Sequence, residues 1–429
     1  MDKYSFFYKI PDNWCWTKLG KITSIIGGGT PSSKIKEYYD NGNIAWITPS
    51  DLSNYNNIYI SKGKKMITEL GLMKSSAKLL PKGTVCLSSR APIGYVAIAE
   101  NELCTNQGFK SFLPSELYEP EYLYWYLKSI KHILEAKASG TTFLELSAKK
   151  AGEVEIPLPP INEQQRIVNI IESLFTKLDR AKELIENTLA QFEQNKMAIL
   201  HKAFTGELTV KWRKKNNIDL SSWKKYELKE VFKVVKDKYN PQIENQIVNY
   251  IGLENIETSK GIINKNNSSE VKSIKTKFKK DDVLYGKLRP YLNKHDVVNF
   301  DGICSTDILV FRFDNINTAK YINYYFNLPM FIQYAVENSS GINLPRVSEK
   351  TISKYKISLP TIEEQQEIVN ILDKLLAKYN KIKNLEQQLE KIELLKKAIL
   401  AKAFRGELGT NNPDEESAEN LLKEILAEK

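Results

Sequence analysis

Leu158-Pro-Pro-Ile-Asn-Glu-Gln-Gln-Arg-Ile-Val-Asn-Ile170 decides the architecture, because it is written again as Leu359-Pro-Thr-Ile-Glu-Glu-Gln-Gln-Glu-Ile-Val-Asn-Ile371. A second pair follows each copy: Ala198-Ile-Leu-His-Lys-Ala-Phe-Thr-Gly-Glu-Leu208 and Ala398-Ile-Leu-Ala-Lys-Ala-Phe-Arg-Gly-Glu-Leu408. Outward from these, weaker matches keep the same order. Trp14 and Leu19 answer to Trp223 and Leu228, Cys104-Thr105 to Cys304-Ser305, and Tyr122-Leu-Tyr-Trp-Tyr126 to Tyr321-Ile-Asn-Tyr-Tyr325. Ser139-Gly140 answers to Ser340-Gly341. The 429 residues are therefore one module of roughly 200 residues written twice.

The faithful parts of the repeat read as long helices. Asn162 and Thr361 stand where N-caps belong, with acidic residues in the first turn, and Gly206 and Gly406 stand at the C′ positions. In the first copy Ile167, Ile171, Leu174, Leu178, Ala181 and Ile185 alternate at four and three residues, a heptad seam that continues to Ile199. In the second copy Ile368, Leu372, Leu375, Tyr379 and Ile382 follow the same rule. The step from Ile382 to Leu385 is then one residue short, which locates the change of repeat offset. Each helix would run ~63 Å at ~1.5 Å per residue. Two copies in one chain, each following a similar block, pair most simply with each other in antiparallel fashion; a homodimeric coiled coil is the alternative.

Charge divides along the same lines. Residues 1–160 hold 19 Lys+Arg and 15 Asp+Glu, residues 161–211 hold 7 and 7, residues 212–360 hold 25 and 16, and residues 361–429 hold 11 and 14. The two divergent blocks are net +4 and +9, and the segment between them is neutral, a pattern that suits a polyanionic partner. The blocks read as mixed α/β, with strands at 83–87, 95–98, 282–285 and 307–311 and helices at 120–137 and 318–337. A short acidic helix is expected within 413–429. Four scattered cysteines and three histidines fit neither a disulfide framework nor a zinc site, and no apolar run approaches membrane-spanning length. The expectation is a reduced, cytoplasmic protein.

Motifs mark the blocks further. Gly27-Gly-Gly-Thr-Pro-Ser-Ser33 offers backbone amides and hydroxyls to a phosphate, or else is a turn between strands. Asp282-Val-Leu-Tyr-Gly-Lys-Leu-Arg-Pro-Tyr-Leu-Asn-Lys294 interleaves Lys287, Arg289 and Lys294 with Tyr285 and Tyr291, as a nucleic-acid groove requires. Catalytic signatures are missing: no [DN]PP[YFW] methyltransferase motif, no Walker lysine motif and no compact PD…(D/E)xK cluster.

The glycine motif with Asn43-Ile-Ala-Trp-Ile47, the GKLRPYLNK run with Cys304-Ser-Thr-Asp307, and both pairs of helix motifs resemble type I restriction-modification specificity subunits. The resemblance spans nearly the whole chain and implies an α+β protein. Target recognition domains at 1–160 and 209–360 would alternate with conserved helices at 161–208 and 361–408, before an acidic tail at 409–429. The helices would form an intramolecular antiparallel coiled coil with pseudo-twofold symmetry.

The family further implies that each recognition domain reads half of a bipartite site in double-stranded DNA. The helices would set the unread gap and dock two modification subunits, which restriction subunits join. S-adenosylmethionine, ATP and Mg would belong to those partners, with no cofactor, metal or catalytic residue in this chain. The alternative is a cryptic DNA-modifying or DNA-cleaving enzyme. Candidate DNA contacts are Gly28, Gly29, Thr30, Ser32, Lys34, Arg90, Asn106, Gln107 and Thr141 in the first block, and Lys236, Lys238, Lys287, Arg289, Tyr291, Lys294 and Arg346 in the second. Outward-facing residues of the helix motifs repeat more faithfully than helix pairing needs. Glu163, Gln164, Gln165 and Phe204, with Glu364, Gln365, Gln366 and Phe404, are therefore the candidate partner contacts.

Overall fold

The computed structural model describes residues 8–140, 144–244, 246–258, 260–380 and 383–427. They divide into two compact units that cut across the sequential blocks: residues 1–184 with 387–429, and residues 185–386. The cut falls inside the helices because each block packs against the start of one helix and the end of the other.

In the first unit, a five-stranded sheet runs in the order Ile25–Gly27, Phe109–Phe112, Val85–Ser88, Val96–Ala99, Tyr59–Ile60. A three-stranded sheet is built from Lys65–Ile67, Ile44–Ile47 and Cys104–Thr105. Cys15–Lys18 pairs antiparallel with Glu155–Leu158, which ties the start of the block to its end. The helix expected over 120–137 is Pro120–Ser129 followed by Lys131–Lys137. The second unit repeats the plan. A four-stranded sheet orders Lys233–Val234, Ile308–Arg312, Val283–Gly286, His295–Val297, and a five-stranded sheet is centred on Gly302–Cys304. Lys224–Glu227 pairs with Lys356–Leu359, and Pro329 starts a second helix after Ile316–Tyr325.

The first long helix is continuous from Ile161 to Phe204; the second is described as Ile362–Asn380 and Lys383–Ala403. Ile382, where the heptad lapse was placed, lies outside the described residues. Thr361 does cap its helix, its hydroxyl 3.4 Å from the Glu364 amide, whereas Asn162 sits inside the first turn and is exposed. Gly206 and Gly406 hold φ of +82° and +73°, the left-handed conformation that ends a helix. The helices run antiparallel where they meet in the first unit: Lys182 pairs with Glu393 at 3.3 Å, and Asp179 pairs with Lys396. In the second unit Leu200 and Ala203 share a buried cluster with Ile368, Val369 and Leu372. Among the described residues the seam is fully buried at these block-covered ends and at Ile392. Leu174, Leu178, Ala181 and Ile185 are half-buried, since a two-helix pairing covers one side of each.

The expectation for the helix motifs needs correction. Glu163, Gln164, Glu364 and Gln365 are buried and engaged within the chain. Glu163 accepts from the Trp14 indole (2.8 Å), the Thr410 hydroxyl (3.0 Å) and the Asn411 amide (3.0 Å). Glu364 accepts from Trp223 (3.0 Å), Thr209 (2.6 Å) and Arg213 (2.5 Å). Gln164 accepts from the Glu119 amide and donates to the Leu117 and Pro159 carbonyls. Gln365 accepts from the Thr318 hydroxyl and donates to the Pro360 carbonyl. Phe404, 3% exposed, sits edge-on to Tyr122 and Tyr126, and Phe204 packs in the same way on Tyr321 and Tyr325. The motifs repeat because each closes the same internal clasp. Gln165 is exposed, while Gln366 and Phe204 are half-buried; each glutamine donates to an asparagine one turn on, Asn169 and Asn370.

The tail completes the first clasp. Arg166 forms a two-pronged pair with Glu415 at 2.8 Å, the Ala418 amide donates to the Asn13 carbonyl, and the helix Ala418–Ala427 buries Ala418 and Leu422.

Candidate nucleic-acid interface

In the first unit the glycine motif is a packing device. A Cβ on Gly28 would lie 2.0 Å from the Asn106 carbonyl oxygen, and one on Gly29 would lie 2.2 Å from the Ala77 nitrogen. The Gly29 amide donates to Thr105 O (2.8 Å) and its carbonyl accepts from the Trp46 indole (3.0 Å). The phosphate-cradle expectation for Gly28 and Gly29 is therefore replaced by close backbone packing. What the packing presents is different: Thr30, Ser32 and Lys34 are exposed, and the Thr30 hydroxyl donates to exposed Gln107. Asn106 spends its carbonyl on the Gly108 amide (2.9 Å), closing the turn that sets Gln107 outward.

Arg90 follows the strand Val85–Ser88 and is exposed, with Nε 3.0 Å from Glu145. Lys110, largely buried, reaches the same carboxylate at 3.2 Å. Burial opposes ionisation of Glu145, but hydrogen bonds from Lys110 and Arg90 prevail and hold it below the usual carboxylate range. Ser139 and Glu145 exchange backbone hydrogen bonds (3.1 and 3.0 Å), and Leu146 N donates to Ser89 O (2.8 Å). Thr141 lies outside the described residues.

The second unit builds the matching corner with other side chains. Ser340 and Arg346 exchange backbone bonds (2.9 and 2.8 Å), Val347 N donates to Lys287 O (2.9 Å), and Arg289 N donates to Pro345 O (2.7 Å). Where the first unit has Glu145, this unit has Arg346, paired with Asp307 at 3.3 Å. Arg289 is exposed and adopts φ +51°, and Lys287 is half-exposed; neither has a salt bridge among the described residues. Tyr291 is 53% exposed. Two members of the sequence cluster belong elsewhere. Lys294 is tied to the Leu253 carbonyl at 2.7 Å, and Tyr285 is a core side chain stacked on buried His295. Tyr285 lies in a strand buried at every position, and Lys294 stands half-buried just before the strand His295–Val297, placements the charge pattern did not reveal. Lys236 pairs with Glu349 at 3.1 Å, and exposed Lys238 lies 3.4 Å from the Thr276 hydroxyl.

The first unit thus presents exposed hydroxyls, an amide and cations, and the second presents cations and Tyr291, each beside a loop pinned at its base. The family model described as the type I restriction modification DNA specificity domain matches residues 11–191 and 221–394, so the chain belongs to that family and carries the domain twice. It is 32% identical over 418 residues to the type I restriction enzyme MjaIX specificity subunit of Methanocaldococcus jannaschii, covering 93% of this chain and 94% of that one. It is 29% identical to the EcoDI specificity subunit of Escherichia coli, over 73% of this chain and 77% of that one. A chain solved in work on complex assembly and conformational transition of the type I R-M system matches with TM-score 0.68 at 21% identity. That match covers 94% of this chain and 100% of the other. The fold is that of these specificity subunits. Among the described residues no helix is long and apolar enough to cross a membrane.

Proposed function

We propose that the chain is the DNA-reading subunit of a cytoplasmic type I restriction-modification complex, that each unit reads one half of a split site, and that the chain itself does no chemistry. The observation that carries this is the duplicated corner: one backbone frame in each unit, furnished with different side chains at Glu145 and Arg346. One frame with two sets of contacts is what recognition of two different half-sites requires. Phosphate contacts fall to Thr30, Ser32, Lys34, Lys287 and Arg289, and base contacts to Gln107, Arg90 and the loop residues.

The helices set the gap and dock two modification subunits. With the helix-start clasps closed internally, the Gln165–Asn169 and Gln366–Asn370 pairs, exposed except at half-buried Gln366, are the equivalent surfaces left for identical partners. S-adenosylmethionine, ATP and Mg act in the partner subunits, and restriction subunits complete the assembly.

The test is the salt dependence of DNA binding. Lys287→Ala/Arg289→Ala should flatten the log–log slope by about two units, roughly one for each lost phosphate contact. An unchanged slope in the folded double variant would move the DNA surface away from this corner.

A further inference from the structure

Resting on the DNA-reading role just proposed, we infer that Ile342 is a specificity-determining residue that enters the major groove and contacts the C5-methyl group of a thymine. Ile342 is 99% exposed, and its neighbour Leu344 is 43% exposed. An apolar side chain with no covering surface at a loop tip is ordinary when isolated, but this one is held in place. The Ser340–Arg346 backbone pair closes the loop, and Arg346 also bridges to Leu288 on its other side. Val347 and Arg289 then pin the stem to the strand end, so the tip projects from a fixed base.

The charge around that base selects the occupant. Lys287, Arg289 and Arg346 belong to the stem and the strand end it is pinned to. Arg346 is paired with Asp307, whereas Lys287 and Arg289 have no ion pair among the described residues, leaving a net positive charge there. Exposed Tyr291 lies two residues beyond Arg289. A cationic rim around an apolar tip complements a duplex, whose phosphates flank the groove. In the major groove the apolar feature of the base edges is the thymine methyl, which aliphatic side chains contact. The first unit has the same pinned stem, Ser139 with Glu145, but a different intervening sequence: Gly-Thr-Thr-Phe-Leu stands where this unit has Gly-Ile-Asn-Leu-Pro. Frame kept and tip changed is the pattern of a reader. In that alignment Thr141 occupies the position of Ile342.

The experiment pairs a protein change with a DNA change. The full chain is assembled with its modification subunits, and the methylated motif is found by sequencing host DNA. Duplexes then carry dU for dT at each thymine of the motif in turn. Binding is measured for the wild type and for Ile342→Ala, with thermal melting as the folding control, since so exposed a position should tolerate the change. One thymine is expected whose methyl removal weakens the wild type roughly tenfold and leaves Ile342→Ala unaffected. The proposal is overturned if the variant keeps every dT/dU difference of the wild type. That holds whether the variant's affinity is unchanged or falls equally on all duplexes, the second being the mark of a wedge between bases. In each of these cases the DNA-reading role stands, provided binding remains site-specific; a wild-type complex with no preference for its motif would sink both.

Discussion

At the scale of single residues, the buried carboxylates Glu163 and Glu364 explain why the helix starts repeat so faithfully. Each accepts three hydrogen bonds, among them one from a tryptophan indole and one from a threonine hydroxyl. An ionised group without those donors would be costly to bury. His295 in the second unit is a different case. Burial lowers its pKa to about 4, outweighing the upward pull of hydrogen bonds to Asn323 and Asn327. The imidazole is therefore neutral when folded, and the unfolded chain binds the extra proton between about pH 4 and the ordinary value of 6.5. Stability should be fully present above pH 6.5 and fall as the pH drops toward 4, by at most ~1.4 kcal/mol per pH unit. Urea unfolding across that range would show it. A His295→Gln variant with the same pH slope in this window would contradict the assignment.

At the scale of elements, the tail is a structural strap. In the second unit Glu364 draws two of its donors from residues just after the first helix, Thr209 and Arg213; in the first unit Glu163 draws them from Thr410 and Asn411, just after the second. Ending the chain after Leu408 removes two donors from a buried carboxylate, the Arg166–Glu415 pair and the burial of Leu422. The first unit should lose about 3 kcal/mol or more, read as an earlier urea transition, while the second unit keeps its stability. A truncated chain that unfolds like the intact one would show that the strap contributes nothing. The acidity of 409–429 was legible in sequence, but its role was not, because the strap joins residues 249 positions apart.

At the scale of the molecule, the proposed division of labour predicts separable gap and half-sites. Inserting four residues after Thr188 lengthens the first helix by ~6 Å and turns the block beyond the insertion by ~40°. With ~3.4 Å per base pair, one or two more unread base pairs would restore the fit. Sequencing methylated adenines in a host carrying the lengthened subunit should show a longer gap between unchanged half-sites. Altered half-sites around the old gap would refute the assignment of spacing to the helices.

The duplication, the long helices with their C′ glycines, the basic character of the blocks and the family were all determined by sequence, because each rests on local spacing or composition. Tertiary structure decided which faces those residues show. Phe404, Glu163, Gly28 and Tyr285 carry strong motifs, yet they are packed inward, because a motif records that a residue is constrained and not by which neighbour. Ile342 went unnoticed for the opposite reason: one aliphatic residue in a loop has no pattern, and only the pinned stem and the cations around it give its exposure a meaning.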